Sequence, residues 1–525
     1  MQAFWGGLVA AVFLVAAAAP AGAEEPARGG VLTFGVAGEP NTFDCHATNT
    51  FAVLHYVAPH YSTLLRFDPE SYPRVVGGAA ESWTVSEDGL VWTFKLRPGI
   101  RFHDGSPLTS GDVKGTLDRL RAPPEGVVSV RKAQFDDIVA VEAPDPLTTV
   151  VRLAKVNAAF AAVMASPFNC LYSAALLRSD PDYPARRVMG TGPFVFESYT
   201  PGQPWIGRRF EGYFEPGLPY LDGFRALSLE GQPAINALAT GAIQAEFRGL
   251  TPAQRDRIAA ARGERIRFLE GDRISVYVAV INTERKPFDD PRIRRALSLA
   301  LDRKTGEAVM TRISSIRHAG GLLRPGSPMA ASPEELAALP GFGPDIKASR
   351  EEAKRLLAEA GQSRLKLRLV TRSIENPHQH LAVYLVDQWR QIGVDAENVK
   401  LETAAWVTAL RSGNFDAITD FSADPVDEPT IQLERFTSVD RAPDNPSRAV
   451  DRTLDALFEQ QKREPDPVAR RKLVRDFETR ALTEAYTIPL FWAYRIIPIA
   501  AEVQGWPMSP SHFLFQDLST VWLRP

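Results

Sequence analysis

The stretch WTFKLRPGIRFHDGSPLTSGDV, residues 92–113, contains the residues that decide how this part of the chain folds. Trp92, Phe94 and Leu96 alternate along it, so their side chains lie on one face of a strand, and that face packs. An Asp-Gly pair at 88–89 separates this strand from an earlier β-rich segment. Because Asp-Gly between two such segments is typical of a tight turn, the pattern predicts a β-hairpin.

The second half of the stretch carries side chains that also occur in catalytic sites. His103, Asp104 and Ser106 lie in a turn, where neighbours rarely hold a base between a nucleophile and an orienting acid. Thr109 and Asp112 have the spacing of a capping box, which predicts the start of a helix. We therefore interpret the whole stretch as scaffold, without catalysis.

Length and composition set the broad class of the protein. The chain has 525 residues, of which 45% are hydrophobic. It is too long for one core, and we expect two or three folded domains. The net charge of −3 is close to balance, whereas a nucleic-acid partner requires a basic face.

The N-terminus has the features of an export signal. Residues 1–23 contain an apolar run that ends in Ala21-Gly22-Ala23, a cleavage site of small residues ahead of Glu24. The usual positive charge before the apolar run is absent, which leaves an uncleaved anchor as the alternative. We expect a signal peptide at 1–23 and a periplasmic mature protein.

The chain has two cysteines, Cys45 and Cys170. Export permits a disulfide bond, but nothing in the sequence indicates that the two residues meet. Our expectation is two unpaired, buried thiols.

The remaining pattern is that of an α/β protein. Asp290 and Pro291 begin a strongly amphipathic helix. Ser349 to Glu352 has capping-box spacing and predicts the start of another helix, which Gly361 ends. From residue 366 to 420 the pattern alternates strand, helix, strand, helix, strand, which predicts a mostly parallel sheet flanked by helices.

Several motifs, in this order, resemble those of one protein family. They are AESWTVSEDGLVWTFKLRPGIRFHDGSPLTSGDV (80–113), MGTGPF (189–194), the region from YLDG to GAI (220–243), INTERKPFDDPRIRRALSLALDR (281–303), EEAKRLLAEAG (351–361) and DQWRQIGV (387–394). The ordered set is similar to the periplasmic solute-binding proteins of peptide- and nickel-type ABC transporters, extracellular solute-binding protein family 5, and the resemblance covers nearly the whole mature chain.

The resemblance implies the fold. It implies a two-lobed periplasmic-binding-protein fold of type II, cluster C, with an extra subdomain. Lobe I would be discontinuous, formed by 24–67, 192–272 and 488–525. The subdomain inserted into it would be 68–191, and lobe II would be 273–487. The chain would cross twice between the lobes, and the crossings would form a hinge.

The resemblance also implies the function. A family member captures a small peptide between its lobes and delivers it to a membrane permease of an ABC importer, without catalysis and without a cofactor. No G-x-x-x-x-G-K-[ST] motif occurs in the sequence, so the ATPase would be another polypeptide. We expect a monomer that binds no nucleic acid.

A peptide enclosed in a cleft needs partners for both charged ends, because an unpaired buried charge is costly. By resemblance, Asp424 in DFSADPVDEP would bind the ammonium group, and Arg372 in TRSIENP would bind the carboxylate. Trp406 matches a position in the pocket wall. The other positions carried over from the family are Thr48, Asn49 and Thr50, in a polar loop that meets the ligand, and Phe247 and Arg248, where Arg248 suggests a preference for an extra anionic group.

Each assignment has a structural alternative. Asp424 sits before Pro425, where it would simply begin a turn. Arg372 fits an ordinary surface arginine, and Trp406 fits a helix core. Pro425-Val426 departs from the family pattern, which leaves the ligand class open among peptides, opines and glutathione-like molecules.

Other functions compete with peptide binding. A nickel chelate or haem would use histidines, but His378 and His380 are two residues apart at the start of a helix, where such positions do not face one another. A metal site needs three or four convergent ligands, and we expect none. No G-x-S-x-G or H-E-x-x-H motif supports an enzyme. A periplasmic sensor or chaperone with the same fold stays open.

Overall fold

A computed structural model describes residues 24–525. The predicted signal peptide at 1–23 and its Ala21-Gly22-Ala23 cleavage site therefore lie outside the described residues. Within the described range, no helix combines the length and the apolar character that a membrane crossing requires.

The helices are distributed along the whole described chain. They are α1 (Phe51–Val57), α2 (Ser110–Arg121), α3 (Phe160–Met164), α4 (Ala174–Ser179), α5 (Gln232–Thr240), α6 (Pro252–Arg262), α7 (Pro291–Leu299), α8 (Arg303–Ile313), α9 (Pro333–Ala337), α10 (Ile346–Glu359), α11 (His380–Arg390), α12 (Thr403–Ser412), α13 (Pro429–Leu433), α14 (Arg452–Arg463) and α15 (Pro467–Glu484).

The strands alternate with these helices. They are β1 (Val31–Val36), β2 (Leu65–Phe67), β3 (Val75–Gly77), β4 (Ala80–Val85), β5 (Val91–Leu96), β6 (Ile138–Asp145), β7 (Thr148–Leu153), β8 (Phe194–Ser198), β9 (Trp205–Arg209), β10 (Gly223–Ser228), β11 (Ala245–Glu246), β12 (Ile266–Ile281), β13 (Ile316–His318), β14 (Lys366–Arg372), β15 (Asp395–Leu401), β16 (Ala417–Phe421), β17 (Thr487–Ala500), β18 (Val503–Gln504) and β19 (Trp522–Leu523).

The two longest strands, β12 and β17, run through the centre of the main sheet. The strand order is β15-β14-β16-β12-β17-β11-β1-β10-β9-β8, and β13 also pairs with β17. β14 pairs in parallel with β15 and with β16, which confirms the parallel pattern predicted from residue 366 to 420. At the other end β1 pairs in parallel with β10 and β11.

The antiparallel pairing of β12 and β17 is interrupted near its middle. Residues 266–272 of β12 pair with 494–500, and residues 276–280 pair with 487–492. The register shifts between Asp272 and Val276, which leaves Arg273, Ile274 and Ser275 outside the regular ladder. Such an irregularity bends a strand and redirects its side chains.

Two large hydrophobic cores lie on either side of this irregularity. Most of the first is built from residues 32–247 and 497–521, and the second from residues 279–396 and 417–491. β12 and β17 contribute to both cores, so they physically connect the two halves of the molecule.

The hairpin predicted from the opening stretch is confirmed. β4 and β5 pair antiparallel, and Phe94 and Leu96 are buried in the first core while Trp92 packs against it. The capping box is also confirmed, since the Asp112 carboxylate accepts a hydrogen bond of 2.8 Å from the Thr109 backbone N–H.

The histidine of the same stretch also has a structural role. The His103 ring nitrogen Nε2 lies 3.0 Å from the carbonyl oxygen of Gly192, and the carboxylate of Asp104 accepts from Ser106. Among the described residues the three side chains form no nucleophile–base–acid chain.

The predicted start of the helix at 349 is wrong. α10 begins at Ile346, and the Asp345 side chain accepts from the Ala348 backbone N–H at 3.0 Å. Ser349 lies one turn inside the helix. Asp345 takes the capping position because an Asp at the N-cap satisfies a free helix N–H, and the helix extends back to the first residue that can do so.

The expectation of two free thiols is also wrong. Cys45 and Cys170 form a disulfide bond, with their Cα atoms 6.1 Å apart. The two residues are 125 positions apart in sequence but meet in the first core, where both are buried. Buried polar contacts converge around the bond, including a hydrogen bond of 2.8 Å from the Cys45 N–H to the Tyr172 hydroxyl.

Candidate functional site

The two charged residues predicted to bind the ends of a ligand lie at one edge of the main sheet. Arg372 is the last residue of β14, and Asp424 follows the end of β16 at Phe421. β14 and β16 are parallel neighbours, so their carboxyl ends meet at the same edge. Crevices at this edge are where open α/β sheets bind ligands.

Asp424 borders a cavity of about 730 Å³. Its Oδ2 atom is buried and has no hydrogen-bond partner among the described residues. Burial raises the pKa of this carboxyl to about 6, against the opposing effect of the Arg435 charge. An unpaired carboxylate at a cavity wall is suited to bind a cation that the ligand supplies.

Two of the neighbouring charges of the cavity, Arg435 and Asp420, are paired with one another. Arg435 forms an ion pair with Asp420 and donates a hydrogen bond of 3.1 Å to the Phe421 carbonyl. Arg435 is held by Asp420, and Asp424 forms no ion pair with a described residue. Glu434 and Asp444 on the same wall form none either, but among the carboxylates of this wall only Asp424 has a buried oxygen without a hydrogen-bond partner among the described residues. The cavity is also lined by Glu434, Arg441, Asp444 and Arg448.

Arg372 has only neutral partners among the described residues. It donates a hydrogen bond of 2.9 Å to Thr403 Oγ1, and Nη1 lies 3.4 Å from His378 Nε2. Its Nε–H is buried without an acceptor. Burial lowers the pKa of Arg372, while Tyr277 and Asp420 act in the opposite direction. The guanidinium is therefore available to a carboxylate.

Trp406 occupies a core position. Its indole N–H donates a hydrogen bond of 3.1 Å to the Thr419 carbonyl, and its ring stacks against Phe421. The Arg372 guanidinium lies over the same ring, 5.4 Å from the centroid. Trp406 therefore packs against both Arg372 and Phe421. This agrees with the alternative that Trp406 is a core residue of its helix.

Phe247 and Arg248 lie on the opposite half of the sheet, after β11. Phe247 is buried among aromatic rings, with centroids 4.8 Å from His55 and 4.7 Å from Trp506. The Arg248 guanidinium lies over the Phe51 ring at 4.1 Å, and its Nε–H has no acceptor.

The polar loop at 48–50 is tied down by local contacts. Arg131 donates hydrogen bonds of 2.7 Å to the Thr48 carbonyl and to Asn49 Oδ1. The Thr50 side chain caps α1 by accepting from the Ala52 N–H. The Asn49 side chain is exposed, and the predicted ligand contact of this loop stays a prediction.

Arg273 was not predicted as a site residue. It lies in the irregular segment of β12, four residues before Tyr277, whose ring centroid is 5.8 Å from that of His378. Burial raises the pKa of Tyr277, and the charges of Arg273, Arg372 and Arg248 lower it. The sequence offered one indication of a role for Arg273, namely that it is the first residue of the predicted lobe II, 273–487.

Contacts also join residues 68–191 to residues 273–487. Asp137 forms ion pairs with Arg463 at 2.8 Å and with Lys462 at 3.5 Å. The Asp427 backbone N–H donates a hydrogen bond of 2.7 Å to the Tyr72 hydroxyl. These two regions are therefore in direct contact, and the contact at Asp427 lies three residues after Asp424 in the chain.

Within residues 24–525, no three histidine, cysteine, aspartate or glutamate side chains are grouped as a metal site. His378 is largely buried against Phe421, with ring centroids 5.8 Å apart, and burial lowers its pKa to about 4.

Known proteins match this chain in sequence and in fold. A family profile described as "Bacterial extracellular solute-binding proteins, family 5 Middle" matches residues 74–443. The chain is 31% identical over 226 residues to the glutathione-binding protein GsiB of Escherichia coli (strain K12), and this segment is 43% of both proteins. The sequence match therefore spans less than half of these relatives' length.

Two solved structures illustrate the likeness in fold. The periplasmic binding protein DppA from Helicobacter pylori, in complex with the peptide STSA, has a TM-score of 0.76 at 22% identity, over 95% of this chain and 99% of that one. AgaA from A. tumefaciens, in complex with agropinic acid, has a TM-score of 0.75 at 24% identity, over 94% of this chain and 99% of that one. This likeness confirms the predicted fold class.

Proposed function

Because the chain belongs to the family 5 bacterial extracellular solute-binding proteins, we propose that it is the solute-binding component of an ABC importer and captures a small peptide or peptide-like solute. The permease and the ATPase of the importer would be separate partner chains. In this proposal the protein acts as a monomer, has no cofactor and catalyses no reaction.

The observation that carries the proposal is the carboxylate of Asp424, which has no ion pair among the described residues and lies at the same edge of the sheet as Arg372, an arginine without a carboxylate partner there. Within the part of the chain that the structure describes, Asp424 Oδ2 is buried without a partner and Arg372 makes hydrogen bonds only to neutral groups. A zwitterionic peptide supplies the complement of both groups, since its ammonium pairs with a carboxylate and its carboxylate with a guanidinium fork.

The division into lobes belongs to the same proposal. Lobe I would be 24–67, 192–272 and 488–525, with the subdomain 68–191 inserted, and lobe II would be 273–487. β12 and β17 would then be the two crossings. The break in their pairing between Asp272 and Val276 supports a hinge there, because hinges absorb their motion over a few residues.

Closure of the lobes would transmit the binding signal. A ligand that touches both lobes only when they are closed stabilises the closed state. The contacts of Asp137 with Lys462 and Arg463 support such a closed arrangement. In the proposed mechanism the permease recognises this closed form.

The proposed location is the periplasm, after removal of residues 1–23. The disulfide between Cys45 and Cys170 supports an oxidising compartment, because such bonds persist mainly in exported proteins.

The ligand class in the proposal is peptide-like. GsiB, which shares 31% identity over its matched segment, is named for glutathione, a peptide-like molecule, and DppA is in complex with a peptide. Agropinic acid in AgaA supports the same cleft accepting a non-peptide solute as the alternative.

The proposal is tested by native mass spectrometry of the full chain, exported and purified from a periplasm, followed by denaturation and identification of what is released. Purified protein is then titrated calorimetrically with dipeptides, tripeptides and glutathione. We expect a peptide-like ligand and binding that Asp424→Asn weakens. The exposed Asp395 provides a matched control, and we expect Asp395→Asn to bind as the unmodified protein does.

Release of a metal or porphyrin would contradict the proposal. It would also fail if none of the peptides and glutathione bound to protein that had been stripped of ligand by unfolding and refolding.

A further inference from the structure

Arg273 lies where the two halves of the main sheet meet, and no contact with a described residue balances its positive charge. It is half-buried in the irregular segment of β12. Among residues 24–525 its guanidinium makes no hydrogen bond and no ion pair, whereas its neighbour Ser275 is fixed by a bond of 2.6 Å to the Ser422 carbonyl. The backbone beside Arg273 is therefore anchored while its charge is unpaired.

Arg248 brings a second positive charge to the same place. Its side chain lies over Phe51 and makes no ion pair with a described residue. Burial lowers the pKa of Arg273, and the charge of Arg248 lowers it further, while Tyr277 and Glu246 act in the opposite direction. Backbone contacts bring the two segments together, because the Ile274 N–H donates a hydrogen bond of 2.9 Å to the Pro510 carbonyl, while Arg495 donates to the carbonyls of Ser509 and Phe247. Arg273 and Arg248, each next to one of these contacts, are therefore like charges in one region.

The carboxylate whose charge raises the pKa of Arg273, Glu246, already accepts hydrogen bonds from the backbone. Glu246 accepts hydrogen bonds of 2.8 Å from the Arg248 backbone N–H and 2.7 Å from the Gly249 backbone N–H, one on each oxygen. Its burial raises its pKa, which weakens it further as a counter-ion. A third cation, Arg495, is buried nearby and bonds only to carbonyl oxygens.

Closure of a cleft over these groups would remove water from two like charges. Guanidinium groups without a counter-ion in a dry site are strongly unfavourable, whereas a carboxylate forms short, paired hydrogen bonds with them. An anion supplied by the ligand would give Arg273 and Arg248 the counter-ion that they lack among the described residues.

We infer that the solute carries a second carboxylate, besides the one assigned to Arg372, and that Arg273 and Arg248 bind it. The inference rests on the proposed function and specifies its substrate class as acidic peptides and peptide-like dicarboxylates. Asp424, by contrast, takes the ammonium end.

The test uses peptide pairs that differ only in one carboxylate. Calorimetric titration compares Glu-Ala-Ala with Gln-Ala-Ala, Ala-Glu-Ala with Ala-Gln-Ala, and Ala-Ala-Glu with Ala-Ala-Gln, on the full mature chain. We expect the acidic member of at least one pair to bind about tenfold tighter or more, as hydrogen bonds to charged groups provide.

The variant Arg273→Gln shows whether the preference comes from this site. We expect it to weaken the acidic member by about tenfold and to leave the neutral member within about threefold, because only the acidic member meets the guanidinium. Arg390→Gln on the exposed face of α11 removes the same charge far from the cleft residues and is expected to retain the full preference.

The outcomes separate the two proposals. If the neutral members bind as tightly as the acidic ones, or if Arg273→Gln weakens both equally, the second carboxylate is wrong and the proposed peptide function stands. If no peptide of either kind binds, the proposed function itself fails, and the inference fails with it.

Discussion

Arginines that are buried or half-buried in two regions of this protein have different surroundings. Around the disulfide, Arg119 donates hydrogen bonds of 2.6 and 3.3 Å to Asp44 and a further bond of 3.0 Å to His46. Arg131 donates to backbone carbonyls, at 2.6 Å in the case of Cys45. In the cleft region, Arg273 and Arg248 form no ion pair with a carboxylate of residues 24–525.

The difference separates structural charge from functional charge. Burial alone occurs in both regions, so it does not identify a binding site. What distinguishes the cleft region is the degree of pairing. Arg131 has no ion pair and a buried Nε–H without an acceptor, but its other N–H groups donate to Thr48, Asn49, Cys45 and Phe168, whereas the Arg273 guanidinium makes no hydrogen bond to a described residue. Changes around the disulfide should therefore alter the free energy of unfolding, and changes in the cleft should alter affinity.

The largest expected effect is the loss of the disulfide. The bond closes a loop of 125 positions, so the double variant Cys45→Ala/Cys170→Ala should lower the free energy of unfolding by about 4–5 kcal/mol on the chain-entropy account. Urea denaturation followed by circular dichroism measures the change. A reducing agent should destabilise the unmodified protein and leave the variant unaffected. An unchanged midpoint in both experiments would contradict the structural role.

The buried ion pair should come next. Arg119→Met leaves the Asp44 carboxylate buried with Tyr172 and His46 as its remaining neighbours, and the free energy of unfolding should fall by about 3–5 kcal/mol. The same denaturation experiment measures it.

Arg121, on the same helix, gives the matched control. It pairs with Asp118 at a partly exposed site, where such pairs contribute about 0–1 kcal/mol. Equal losses for Arg119→Met and Arg121→Met would show that pairing in the core is not what matters.

The cleft should respond in affinity. Asp424→Asn removes the carboxylate proposed to bind the ammonium group, and the dissociation constant for a peptide ligand should rise at least about tenfold, equivalent to about 1.5–3 kcal/mol. Stability should not fall, because the substitution removes an unpaired buried charge. A variant that binds normally would exclude Asp424 from the site.

Asp424 also gives the binding a dependence on pH. Its pKa of about 6 lies above the ordinary value of 3.8, so the folded, unliganded protein holds a proton there between these two values. An ammonium group pairs only with the deprotonated form, and affinity should fall as the pH drops from 7 to 5.

The raised pKa of Asp424 affects stability and affinity in opposite directions as the pH changes. A raised carboxyl pKa means that the folded state binds more protons than the unfolded state, so this group's contribution to stability falls as the pH rises from about 4 to about 6. Denaturation curves at pH 4, 5 and 6 measure the trend in stability, titrations at pH 5, 6, 7 and 8 measure the trend in affinity, and Asp424→Asn should flatten both. Identical pH profiles for the two proteins would contradict the assignment.

Elements that depend on neighbouring residues were predicted correctly. The β4–β5 hairpin follows from alternation and an Asp-Gly turn, and the start of α2 follows from the spacing of Thr109 and Asp112. Asp424 and Arg372 were identified by their place in family motifs, and they lie at one edge of the sheet.

The wrong prediction at Ser349 shows that capping-box spacing is a weak indication of a helix start when another capping residue lies nearby. Asp345 and Ser349 both offer a side-chain oxygen to a helix N–H, and the structure begins α10 after Asp345. Spacing alone did not rank the two, because the choice depends on how far the helix can extend against its neighbours.

By itself, then, the sequence determined the local elements, the family and the residues that face the ends of a peptide in the proposed function. Only the tertiary structure decided which charges and thiols have partners. Cys45 meets Cys170, Arg119 meets Asp44, and Arg273 meets no carboxylate of the described residues, because folding sets the distance between residues that are far apart in the chain. Whether two residues pair depends on that distance, which cannot be read from the residue types alone.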